Sequence, residues 1–239
     1  MNKNKFIIVT GGTGRFAQSL KDTKSKYNFL YPSKSALDIT NPSSIKKYLK
    51  KKKPYSVLHL AGLSRPMSVH NKNISKSINL NIIGTSNLVS VCSDLNIKII
   101  YFSTSYVYPG KKGDYKETDA VLPWNNYAWS KLGGECAVKM YKNSLILRVC
   151  MTEEPFVHKE AFSNIKLNFI FHKDLAKILI KILNQKGTIN IGGPTETVYN
   201  FAKKNNPKVK KILFNKKKPF IFALKPFMNL TKLKKLIKQ

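Results

Sequence analysis

A chain of 239 residues with 42% hydrophobic content is long and apolar enough to bury a full α/β core, which excludes a disordered chain. It has no stretch near the roughly 20 consecutive apolar residues that cross a bilayer, and the polar start Met1–Lys5 leads into a run too short for a signal-peptide core, so a soluble, cytoplasmic protein is expected. The net charge of +31, from 43 basic and 12 acidic residues, raises polyanion binding; but only Arg15, Arg65 and Arg148 are arginines, which base readout favours, so lysine-rich solvated faces with no specific nucleic-acid or membrane partner are the preferred reading.

In chain order, Phe6 to Val9 is a short β-branched run that reads as a buried strand. Thr10-Gly11-Gly12-Thr13-Gly14-Arg15-Phe16-Ala17 follows, a glycine turn into a helix of the kind that lets backbone approach a pyrophosphate, with Ala17 as the small residue for close helix–strand packing. Asn28 to Tyr31 is the next strand, and Asn41-Pro42-Ser43-Ser44 starts a helix over Ser43 to Lys50. Val57 to Leu60 is a strand, Ile78 to Leu95 a helix, and Ile97 to Phe102 a strand ending in the hydroxyl cluster Ser103-Thr104-Ser105. Leu122-Pro123-Trp124 starts a helix running to Tyr141; Leu145 to Val149, His172 to Leu183 and Thr188 to Ile191 are strand, helix and strand. Alternation of this kind predicts an α/β fold, a Rossmann-like doubly wound parallel sheet with helices on both faces. Residues 1–150 are expected to form the dinucleotide-binding domain and residues 151–239 a reduced carboxy-terminal substrate lobe, interleaved with a strand and helix, about 170–192, that return to the first. Cys92, Cys136 and Cys150 are odd in number and widely spaced, which indicates core packing rather than a disulfide framework or zinc site, and no metal ligation is expected.

Tyr127 and Lys131 lie four apart in the Trp124 to Tyr141 helix and project from one face. A cation there is expected to lower the phenol pKa from about 10 and make Tyr127 a better proton shuttle. Ser103 and Thr104 stand where ligands sit in open α/β sheets, outside the carboxyl ends of the strands. The bland alternatives are a solvated surface pair for Tyr127 and Lys131, and loop capping for the hydroxyls.

The glycine turn, hydroxyl strand end and Tyr/Lys helix together resemble the extended short-chain dehydrogenase/reductase family over nearly the whole chain, in its sugar-nucleotide branch of dTDP-4-dehydrorhamnose reductases and nucleotide-sugar epimerases. Further matching segments are Leu37 to Pro42, Val57 to Pro66, Asn81 to Thr85, Asn126 to Glu135, Asn190 to Pro194 and Met228 to Leu230. The resemblance implies Tyr127 as proton donor or acceptor, Thr104 as the hydroxyl holding the substrate oxygen, Lys131 as the residue contacting the nicotinamide ribose, and Asn81 as a support of the proton path. It implies Gly11, Thr13, Gly14, Arg15 and Phe16 as the phosphate loop, Asp38 and Ile39 as the adenine edge, and Ala61 and Gly62 as the strand end under the cofactor. Asp38 as a turn cap and Asn81 as an ordinary helix polar residue stay open.

After the second strand, Pro32-Ser33-Lys34 carries no acid to bond a ribose 2′-hydroxyl; Ser33, Lys34 and Arg15 favour NADP(H), with NAD(H) the alternative. The chain is short for this family, and Met151 to Lys159 replaces a longer substrate lobe. Ser64, Arg148, His158, Lys159 and His172 are candidate substrate contacts. The function implied is an NADP-dependent reductase of a nucleoside-diphosphate-linked keto-deoxy sugar. The rivals are an epimerase or dehydratase on the same scaffold and a non-catalytic NADP-binding or polyanion-binding protein. Gly133-Gly134 inside the Tyr/Lys helix either admits a partner backbone, giving a homodimer through that helix, or merely weakens it.

Overall fold

Apolar β-branched runs that are buried on both faces build parallel sheets covered by helices, and such runs, with a more exposed edge strand, form the centre of this protein. The computed structural model describes residues 6–214 and 225–238; the Met1–Lys5 start and the Lys216–Lys218 run lie outside them. Strands β1 (Phe6–Thr10), β2 (Asn28–Leu30), β3 (Ser56–His59), β4 (Lys98–Thr104), β5 (Ser144–Val149) and β10 (Gly187–Ile191) form one parallel sheet in the order β10-β5-β4-β3-β1-β2. The doubly wound parallel sheet expected from the alternation is thus present. Because β2 and β3 flank β1 on opposite sides, the connections leaving β1 and β3 diverge at the carboxyl edge, and a crevice opens there.

Helices α1 (Arg15–Lys21), α7 (His172–Ile182) and α9 (Thr231–Ile237) cover one face through Phe16, Leu20, Leu175, Leu179 and Leu233. Helices α2 (Pro42–Lys52), α5 (Gly84–Asp94) and α6 (Asn126–Met140) cover the other through Ile45, Leu49, Leu88, Cys92 and Val138. Helix starts follow side-chain chemistry. Asn41 accepts from Ser44 N at 3.1 Å with Pro42 in the first turn of α2, and Asn125 accepts from Ala128 N at 2.7 Å, which starts α6 two residues later than the Trp124 expected. Lys50, Lys51 and Lys52 lie in the last turn of α2, where cations complement the helix dipole. That gives this lysine run a structural reason.

Two sequence expectations change. The helix predicted over Ile78 to Leu95 starts earlier, as α3 (Val69–Lys72) and α4 (Ile74–Ile78), and passes through a π turn (Asn79–Ile83) before α5. The inserted residue brings Asn81 inward, where its side chain bonds the loop after β3, a demand that helical periodicity cannot reveal. Cys92 and Cys150 are buried, but Cys136 is exposed on α6 and takes no part in the core.

The carboxy-terminal part holds short paired strands: β6 (Met151–Thr152) with β9 (Ile170–Phe171), β7 (Glu160–Phe162) with β12 (Lys210–Ile212), and β8 (Lys166–Leu167) with β11 (Glu196–Thr197). With α8 (Val198–Asn205) they enclose a third core of Phe156, Ile165, Leu167, Phe201 and Met228. Between them α7 and β10 return to the large sheet, so the small lobe hangs over its carboxyl edge. Among the described residues no helix is long and apolar enough to cross a membrane.

Candidate active site

A cleft of about 1710 Å³ runs along the carboxyl edge between the sheet and the small lobe. Its floor begins at the β1–α1 turn. Gly11 has φ +72°, and a Cβ there would come within 2.6 Å of Ala61 N, so only glycine lets this turn lie against the end of β3. Gly14 N donates to Gly11 O at 2.9 Å and closes the turn. Gly11, Thr13, Gly14, Arg15 and Phe16 all line the cleft, as do Ala61 and Gly62 opposite. Phe16 is also a core residue, 4.9 Å from Phe102 between ring centres.

A buried polar chain under this turn was not foreseen from the sequence. Ala61 N donates to Thr10 Oγ1 at 3.1 Å, Thr10 Oγ1 lies 2.8 Å from His59 Nδ1, His59 Nε2 lies 3.0 Å from Thr85 Oγ1, and Thr85 Oγ1 donates to Asn81 O at 2.8 Å. Since Thr85 spends its proton on Asn81, His59 donates from Nε2 and accepts at Nδ1, the neutral ring. Burial, with the nearby Lys131, pushes its pKa from 6.5 down to about 3. Below pH 6.5 the unfolded chain binds a proton that the folded one refuses, so stability falls as pH drops from 6.5 towards 3, by up to about 1.4 kcal/mol per pH unit from this ring. Urea midpoints at pH 7 and pH 4.5 should therefore differ less in His59→Gln than in the parent; an equal difference would assign the acid sensitivity to other groups.

Thr104, Tyr127 and Lys131 all line the cleft, Thr104 from the last position of β4 and the other two from one face of α6. Strand β4 runs two residues beyond the predicted Phe102, and strand alternation then sends Ser103 and Thr104 to opposite sides. Ser103 Oγ donates to Glu135 Oε2 at 2.6 Å, whereas Thr104 Oγ1 accepts from Tyr106 N at 3.3 Å and favours the Tyr127 phenolate. The Tyr127 ring packs against His70 and Tyr106, at 5.2 and 6.4 Å between centres. Its pKa is not lowered: burial pushes it up to about 12, against the smaller opposing effects of Thr104 and the Arg65 charge. Burial likewise pushes Lys131 down to about 7, and its Nζ lies 4.2 Å from the Tyr101 ring centre. Desolvation outweighs the pairing expected from an i, i+4 spacing. A phenol at about 12 is protonated across neutral pH, the state a proton donor needs.

Asn81 lies behind the cleft wall. Its amide nitrogen donates to Leu63 O and Ser130 Oγ, each at 2.8 Å, and its oxygen accepts from Leu63 N at 2.6 Å, so it ties the π turn to the loop after β3 and to α6. Gly134 permits that approach: a Cβ there would lie 2.7 Å from Asn81 O. The backbone admitted by this glycine belongs to the same chain.

At the far end, Ser33, Lys34, Asp38 and Ile39 line the cleft. Asp38 Oδ1 accepts from Thr40 N and Oγ1 at 2.9 and 2.8 Å, and these bonds hold its carboxyl below the usual range, so the turn-cap reading describes its side chain. Ser64, His158, Lys159 and His172 also line the cleft. Arg148 does not, and is withdrawn as a substrate contact. It is 3% exposed, its Nε and Nη2 bond Glu135 of α6, and its Nη1 donates to Tyr108 Oη at 2.8 Å, because a buried guanidinium needs a carboxylate and Glu135 supplies it. Two charges missed in the sequence stand in the cleft instead: Arg65, after β3, and Glu153, after β6, with Glu153 Oε1 accepting from both Arg15 and Arg65.

The family described as RmlD substrate binding domain matches residues 4–161. A methionine adenosyltransferase 2 subunit beta from Xenopus laevis is 28% identical over 152 residues, covering 59% of this chain and 45% of that protein. A dTDP-4-dehydrorhamnose reductase from Aggregatibacter actinomycetemcomitans is 27% identical over 199 residues, covering 79% of this chain and 62% of that protein. The chain thus spans less than two thirds of the length of either relative. Among solved structures, a dTDP-4-dehydrorhamnose reductase from Bacillus anthracis, in complex with NADP, superposes with a TM-score of 0.85 at 21% identity, over 96% of this chain and 92% of that one. At that identity the likeness establishes a shared fold.

Proposed function

The chain belongs to the RmlD substrate binding domain family, and from that premise we propose that it is an NADP-dependent reductase of a keto-deoxy sugar carried on a nucleoside diphosphate. One observation carries the reading: Thr104, Tyr127 and Lys131 converge at the carboxyl edge of the sheet, in the cleft that the glycine turn floors. The residues fit the cofactor, since the glycine turn from Gly11 to Phe16, the β3 end at Ala61 and Gly62, Asp38, Ile39 and Lys131 all line this one cleft. Gly11, Gly14 and Arg15 would hold its phosphates, Asp38 and Ile39 would form its adenine edge, Ala61 and Gly62 would lie under it, and Lys131 would contact its ribose. NADPH, when bound, supplies the hydride. Thr104 orients the keto oxygen, and Tyr127, protonated at neutral pH, delivers the proton to it. Residues 1–150 carry the cofactor site in this reading, and residues 151–239 the reduced substrate lobe. A homodimer through α6 is part of it, supported by exposed Trp129 on α6 and exposed Ile78 and Ile83 beside it.

Net consumption of NADPH on a supplied nucleotide-linked 4-keto sugar tests the activity, because an epimerase returns the hydride and a non-catalytic binder moves none. Fluorescence titration tests the cofactor. NADPH should bind more tightly than NADH, since the loop after β2 offers Ser33 and Lys34 and no acid. Lys34→Glu should move the preference towards NADH, and equal affinities in the parent protein would remove the NADP assignment.

A further inference from the structure

Arg15 and Arg65 leave the loops after β1 and β3, the two connections that diverge at the crevice, yet both guanidiniums point to one atom, Oε1 of Glu153. Both arginine side chains are substantially exposed, 59% and 39%, while that of Glu153 is 16% exposed, so the carboxylate lies in a cradle whose walls face solvent. The fit is poor. Arginines hold a carboxylate best through both oxygens, but here Oε1 takes both guanidiniums at its one edge, and Oε2 is buried with no hydrogen-bond partner. An anion with acceptor oxygens on every side matches two converging guanidiniums better than a planar carboxylate does. The Arg65 charge also favours the Tyr127 phenolate.

We infer that Arg15 and Arg65 form a diphosphate-binding subsite for which Glu153 competes as an internal occupant, so that a nucleotide diphosphate displaces Glu153 and frees the segment after β6 from the cleft. This rests on reading the cleft as a nucleotide site. The diphosphate belongs either to the dinucleotide cofactor or to the nucleotide sugar.

Calorimetric titration of the full chain with inorganic pyrophosphate tests the subsite. Glu153→Gln should bind pyrophosphate roughly three- to tenfold more tightly than the parent, the range for losing a partly exposed ionic competitor, and Arg65→Gln should weaken it by a similar factor. NADPH and dTDP then separate the sources: a gain in Glu153→Gln for NADPH assigns the site to the cofactor, and a gain for dTDP assigns it to the sugar nucleotide. Pyrophosphate affinity unchanged or weakened in Glu153→Gln would overturn the subsite. Hydrogen exchange on the unaltered protein gives a second measurement that depends on no variant. Amides of 151–159 should exchange faster on adding pyrophosphate, and unchanged or slower exchange would equally overturn it. Pyrophosphate binding that ignores Glu153 defeats this inference and leaves the reductase reading intact, whereas a pyrophosphate gain without any NADPH binding does the reverse.

Discussion

Tyr127→Phe is expected to lower keto-sugar reduction by roughly two or more orders of magnitude, the usual contribution of a positioned general acid, while leaving NADPH affinity almost unchanged. The variant removes one hydroxyl and keeps the ring that packs on His70 and Tyr106, so the wall of the cleft survives. The protonated state of that hydroxyl comes from burial, which holds its pKa near 12. In the proposed reaction the keto oxygen sits beside Thr104, from where it can receive the proton. Lys131→Met should behave differently and damage turnover and NADPH binding together, because Lys131 is proposed to hold the ribose that positions the nicotinamide. Steady-state rates with fluorescence titrations on both variants check the pair. Full turnover in Tyr127→Phe would discard the mechanism even though the fold stands.

Glu135→Ala is expected to destabilise the protein by about 3–5 kcal/mol, the cost of leaving a buried charge without its partner. Arg148 and Glu135 are 3% and 2% exposed, and the guanidinium reaches no solvent that could replace the lost carboxylate. The damage spreads, since Ser103 loses its acceptor and Arg148 Nη1 also holds Tyr108 Oη and Glu117 O at 2.8 and 3.3 Å. Tyr108 in turn donates to Asn190 Oδ1 at 2.8 Å, which ties the loop after β4 to the edge strand β10. Urea unfolding measures the loss. Replacing both partners with apolar residues, Glu135→Leu with Arg148→Met, should recover much of it, because the penalty comes from an unpaired charge rather than from the absence of a pair. A Glu135→Ala variant within about 1 kcal/mol of the parent would show that water enters and solvates Arg148.

Local patterns along the chain determined the architecture. The apolar runs at Phe6 to Val9, Val57 to Leu60 and Leu145 to Val149 could be stable only inside a sheet covered on both faces, and the start signals at Asn41-Pro42 and Pro123 placed α2 and α6 to within two residues. Spacing likewise put Tyr127 and Lys131 on one face of a helix, and the glycines before Arg15 marked a turn that nothing larger than glycine could make against Ala61. What tertiary structure alone decided is where charge goes and what burial does to it. Arg148 looked as available as Arg65 in the sequence, yet β5 carries it inward to Glu135 while the loop after β3 leaves Arg65 in the cleft. Glu153 meets Arg65 from 88 positions away and Arg15 from 138, separations over which no local pattern carries information. The same holds for Tyr127, whose pKa a neighbouring lysine was expected to lower. Whether a charge is paired or stripped of water depends on the side chains packed around it, and those are brought together only when the sheet and its two helical layers close.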